Sequence, residues 1–93
     1  MFILSKDGEK LINYNNVASI YIQEIYRQYQ QPDKFWEIRA MYPAVSEDVL
    51  YDTLGTFYAK DECKNTFDRL CDCIVKSREH ELIDMGDLWY DYY

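Results

Sequence analysis

Three cysteines, one histidine and seventeen carboxylates carry the nucleophile, base and metal-ligand chemistry of this 93-residue chain. Cys63, Cys71 and Cys73 fall within eleven positions. A zinc or redox pair wants two intervening residues, and Cys71-x-Cys73 has one. Cys63 stands two helical turns before Cys71, which places thiols on a helix face as small hydrophobic groups rather than ligands. The only histidine, His80, lies in the charged run Arg78-Glu79-His80-Glu81, which reads as a solvated helix end. To serve as a general base beside Cys73 it would need an orienting carboxylate and an oxyanion hole, and no spacing offers them. Glu47-Asp48 and Asp61-Glu62 are adjacent pairs, which point apart on a strand or a helix. Calcium loops alternate acids around a central glycine, a pattern missing here. Gly8, Gly55 and Gly86 are isolated, so no phosphate cradle is written in the chain. We expect no enzyme, no metal and no cofactor.

Charge narrows the partners. Seventeen acidic against ten basic residues give a net charge of −7. Phosphate contacts depend on clustered Lys and Arg, so neither direct nucleic-acid binding nor adhesion to an anionic membrane is expected. An acidic body can instead dock on a basic protein surface, including one that ordinarily holds nucleic acid. The odd cysteine count argues against a disulfide framework. The start Met1-Phe2-Ile3-Leu4-Ser5-Lys6 is too briefly apolar for a secretory leader, and no apolar run approaches the ~18 residues of a membrane span. A reducing cytoplasm is the expected setting.

The elements that would position these groups follow from periodicity. Phe2-Ile3-Leu4 is a short apolar strand, and Asp7-Gly8 before Leu11-Ile12 predicts a hairpin with a type I′ turn. Val17 to Tyr26 alternates, with Ala18, Ile20 and Ile22 on one face and Val17, Ser19 and Tyr21 on the other. Trp36, Ile38, Ala40 and Tyr42 alternate with Glu37, Arg39 and Met41 in a strand ending before Pro43. Val49 to Ala59 reads as another long strand, with Gly55 at a bulge. Cys63, Phe67, Leu70, Cys71 and Ile74 then fall at i, i+4, i+7, i+8 and i+11, the stripe of an amphipathic helix from about Asp61 to Ser77. Asp61 and Glu62 in its first turn, and Lys76 and Arg78 near its end, suit the helix dipole. The expected fold is α+β: a four-stranded, mainly antiparallel β-sheet packed by one amphipathic helix, with a short C-terminal helix or ordered tail. Residues 1–77 form the core, and 78–93 form an acidic-aromatic segment of the same domain.

That last segment holds the candidate binding residues Asp84, Asp87, Trp89, Tyr90, Asp91, Tyr92 and Tyr93. Carboxylates interleaved with Trp and Tyr can steer by charge and anchor by aromatic burial. The competing reading folds Leu88, Trp89 and Tyr92 back onto the core and leaves the aspartates in water. A second candidate surface is the exposed strand face bearing Tyr21, with an open sheet edge that could accept a partner strand or a second copy of the chain; the alternative function is thus a homo-oligomeric accessory protein.

The runs Ile3-Leu4-Ser5-Lys6-Asp7-Gly8, Leu11-Ile12-Asn13-Tyr14-Asn15-Asn16-Val17-Ala18-Ser19-Ile20-Tyr21-Ile22 and Leu54-Gly55-Thr56-Phe57-Tyr58-Ala59-Lys60-Asp61-Glu62-Cys63-Lys64 resemble small, mostly uncharacterised proteins of Gram-positive bacteria, their phages and mobile elements. The likeness spans roughly residues 2–76 and contains no catalytic motif. It implies a β-meander closed by one helix. A phage-type origin would fit an acidic, non-enzymatic inhibitor such as the type II anti-CRISPR proteins, which occupy a nuclease's nucleic-acid-binding surface. The acidic-aromatic tail departs from that pattern and would be the specialised part.

Overall fold

The computed structural model describes residues 1–43, 50–76 and 82–90, the last without the Tyr90 side chain. Two three-stranded sheets and a long helix share one apolar core. Strands β1 (Phe2–Leu4) and β2 (Leu11–Asn13) form an antiparallel hairpin. Strand β6 (Leu82–Asp84) lies parallel to β1 on its other side, giving the order β2-β1-β6. The register aligns Ile12, Ile3 and Ile83 in one row, and all three are buried.

The second sheet is an antiparallel meander of β3 (Ser19–Tyr26), β4 (Lys34–Met41) and β5 (Tyr51–Phe57). Its inner face presents Ile20, Ile22, Ile38, Ala40, Leu54 and Phe57 to the core. Helix α1 (Lys60–Lys76) lies across that face, and the short helix α2 (Met85–Tyr90) packs against both α1 and β1. The start of α1 falls within a residue of the sequence expectation, because its apolar stripe and its first-turn acids are local signals.

The expectation of one four-stranded sheet is corrected to two sheets of three. Strand β1 is three residues long because the hairpin closes directly after it: the Ser5 N–H donates to the Lys10 carbonyl at 2.8 Å as the last rung, and its hydroxyl donates to Asp7 Oδ1 at 2.5 Å in the turn. So short a strand cannot extend the long meander. The hairpin meets β5 chiefly through Lys6, whose N–H donates to the Leu54 carbonyl at 2.7 Å. The chain after the helix supplies the missing strand, since β6 completes the small sheet where a tail was expected. A three-residue parallel pairing leaves no local pattern, which is why it is invisible in the sequence.

Three finer expectations also change. The Asp7-Gly8 turn is not type I′, because only Gly8 has positive φ (75°), as the fourth residue of a turn closed by its N–H donating to the Ser5 carbonyl. Strand β3 begins at Ser19, two residues later than expected. Before it, Tyr14–Asn16 form a 3₁₀ turn capped by Asn13, whose side chain accepts the Asn15 N–H, and Ala18 is exposed. On α1, Cys71 is exposed and Thr66 is buried, so the core stripe runs Cys63, Thr66, Leu70. Val49, expected to open β5, and Ser77, expected to close α1, lie outside the described residues.

Candidate functional site

The C-terminal segment is held by α1, by β1 and by Lys6 of the hairpin loop. Asp84 closes β6 and caps α2, its Oδ1 accepting the Gly86 N–H at 2.9 Å. Met85 is fully buried, and Leu88 and Trp89 pack on the core. The Trp89 indole N–H donates to Glu62 on α1. The Lys6 ammonium lies 4.3 Å from the Trp89 ring and 4.4 Å from the Phe57 ring, and donates to the Thr56 carbonyl at 2.8 Å. Burial lowers the Lys6 pKa from its ordinary value, against the pull of the Glu62 carboxylate. The ring faces and the carbonyl replace the lost water.

Trp89 is therefore bound up in the fold, as the competing reading of the tail had it. Asp84 is half-buried at the α2 cap, and Asp87 is exposed. The Tyr90 side chain and Asp91, Tyr92 and Tyr93 lie outside the described residues. So does His80.

The small sheet brings Asp84 together with residues that were not among the sequence candidates. Alternation sends Ile3, Ile12 and Ile83 inward, so Phe2, Leu4, Leu11, Leu82, Asn13 and Asp84 share the outer face. Phe2 (44% exposed) sits beside Leu82 (59%), and Leu11 (60%) lies beyond Leu4. Phe2, Leu11 and Leu82 are thus large apolar side chains left exposed on one sheet face. The signal was present in the chain: Phe2-Ile3-Leu4 is apolar on both faces, the mark of a strand covered on both sides.

Carboxylates border this apolar patch. Leu82 and Asp84 also line a notch of about 310 Å³ between β6, α2 and the last turns of α1, with Asp72, Asp87, Lys76 and Leu88. The Lys76 ammonium is engaged by Asp72 Oδ2 at 3.0 Å. Three carboxylates facing one lysine leave the notch net negative, and apolar and acidic surface meet at Leu82.

Of the three cysteines, Cys63 is fully buried in the core. Burial pushes the Cys63 thiol up to about 11, with the neighbouring Glu62 adding to it, so this sulfur stays protonated and inert. Among the described residues, no group of three His, Cys, Asp or Glu side chains converges as a metal site would require. No described helix is long and apolar enough to cross a membrane.

The chain matches no family model, no curated protein and no solved structure. Function must therefore be read from the site, because a fold by itself does not specify one.

Proposed function

We propose that this chain is a non-enzymatic, acidic protein-binding module that occupies a basic surface of another protein, as a phage-encoded inhibitor of a nucleic-acid-handling or defence enzyme would. The observation that supports this most directly is the meeting of exposed apolar side chains on the small sheet (Phe2, Leu11, Leu82) with a notch lined by Asp72, Asp84 and Asp87. Apolar side chains at the centre of such a contact supply burial, at roughly 25 cal/mol per Å². The carboxylates around them steer a basic partner and reject an acidic one. The net charge of −7 acts in the same direction over longer range. Asp87 is exposed and extends the acidic character of this surface.

The geometry dictates how to test it. A chain ending at Gly86 would lose Leu88 and Trp89, which belong to the core, so the informative truncation is after Tyr90. Tagged full-length protein should retain nucleic-acid-binding proteins from a bacterial lysate at low salt and release them as salt rises or as duplex DNA is added. The pair Phe2→Ser with Leu82→Ser, and separately Asp72→Lys with Asp87→Lys, should each abolish retention while leaving the circular-dichroism spectrum unchanged. Retention that ignores salt, DNA and both variants would rule the reading out.

A further inference from the structure

Four strand edges bound the two sheets, and among the described residues only one is both long and free of hydrogen bonds from another element. Strands β2 and β6 are three residues each, too short to template much pairing. The edge of β5 is obstructed: its Leu54 and Thr56 carbonyls accept the Lys6 N–H and ammonium at 2.7 and 2.8 Å, and the β4–β5 register shifts at Ile38/Arg39. Strand β3 runs eight residues, Ser19-Ile20-Tyr21-Ile22-Gln23-Glu24-Ile25-Tyr26, without Lys or Pro. Among the described residues, β4 is its only strand partner.

Which groups face outward follows from the ladder. The Tyr42 N–H donates to the Leu50 carbonyl, toward β5. Alternation then turns Met41, Arg39, Glu37 and Phe35 toward β3, where they oppose Ser19, Tyr21, Gln23 and Ile25. The backbone groups of Ile20, Ile22, Glu24 and Tyr26 therefore point away from the sheet. The Gln23 amide folds over this edge and donates to the outward Glu24 carbonyl at 3.0 Å.

We infer that this edge pairs with the same edge of a second copy, antiparallel about a two-fold axis at Gln23, joining two three-stranded sheets into one of six. The sequence of β3 is self-complementary in that register. Ile20 meets Tyr26 of the second copy and Ile22 meets Glu24, each exchanging two backbone hydrogen bonds through the outward groups. Tyr21 meets Ile25 on the outer face. The register thus makes four aromatic–β-branched cross-strand pairs by symmetry and sets the single carboxylate opposite an isoleucine rather than its own copy. Tyr26, 65% exposed in the single chain, becomes covered. This surface lies on the other sheet from the acidic patch and does not depend on its function.

Sedimentation or light scattering of the full chain across a concentration series tests the inference. The mass should rise from 11.3 kDa toward twice that value. Gln23→Lys, which opposes two ammonium groups on the axis, should hold the chain at monomer mass. Glu24→Pro removes an outward N–H without touching the β4 ladder and should do the same; Gln23→Lys decides should that proline variant fail to fold. Gln23→Cys should cross-link into a covalent dimer on mild oxidation far faster than the parent chain, because non-hydrogen-bonded partners sit at disulfide distance. A parent chain that stays monomeric throughout, or a dimer that survives Gln23→Lys, overturns the inference.

Discussion

Tyr42, Asp52 and Lys10 show how single side chains join the hairpin to the meander. The Tyr42 hydroxyl donates to Asp52 Oδ2 at 2.6 Å, and the Lys10 ammonium donates to Oδ1 at 3.2 Å. Burial, with the Asp52 carboxylate adding to it, pushes Tyr42 from 10.0 up to about 12. Its folded-state pKa is thus above its unfolded one, so its contribution is full below pH 10 and is lost as pH rises from 10 toward 12. Asp52 behaves oppositely. The Tyr42 hydrogen bond holds its carboxyl below the ordinary 3.8. Its contribution is present above 3.8 and is lost as pH falls through the lowered value. Tyr42→Phe should therefore flatten both the alkaline and the acid limb of a plot of melting temperature against pH. An unchanged profile would mean that the triad adds nothing to stability. None of this was legible in the chain, since Lys10 and Asp52 are 42 positions apart and meet only across two sheets.

At the scale of elements, Gly55 decides how closely the hairpin loop can approach β5. A Cβ built there would stand 3.0 and 3.1 Å from the Phe57 ring and 3.3 Å from the Lys6 Cβ. Phe57 is fully buried and Lys6 is fixed between two rings, so neither can readily give way. Gly55→Val should cost about 2–3 kcal/mol through overpacking, read as a lower urea midpoint. Gly8→Ala makes the contrast: open space surrounds it, and its cost arises from the positive φ alone. The sequence marks Gly55 as a break in a strand pattern, but the reason for the break is the lysine of another element. The helix α1 was the most legible element, because its 3.6-residue stripe and terminal charges are internal to it. Even there the period alone placed Cys71 inside, whereas the face actually covered takes Thr66 and leaves Cys71 in water.

For the whole molecule, the question is whether two sheets make one cooperative unit. Ile3, Ile12, Ile83 and Met85 from the small sheet and α2 belong to the same buried cluster as Ile38, Leu54, Phe57 and Leu70. A shared core has no plane along which one sheet could unfold alone. Trp36 packs against this core from β4 and Trp89 from α2, giving one optical probe on each side. In Trp36→Phe and Trp89→Phe, the fluorescence of the remaining tryptophan should lose its native signal at the same urea concentration as the far-ultraviolet circular dichroism of that variant. Separate midpoints would show two folding units.

What the amino-acid sequence determined on its own is whatever its local periods and charges express: the hairpin, the two long alternating strands, the helix, the acidic balance and the α+β class. It also carried the double-faced apolar run Phe2-Ile3-Leu4, whose meaning emerges only once its neighbours are known. Tertiary structure alone decided the split into two sheets, the parallel pairing of β6 with β1, the turning of Trp89 into the fold and the meeting of Leu82 with the carboxylates of α1 and α2. These depend on contacts between segments far apart in the chain. Such contacts are selected by the packing of the whole core, and no window of neighbouring residues contains the information that fixes them.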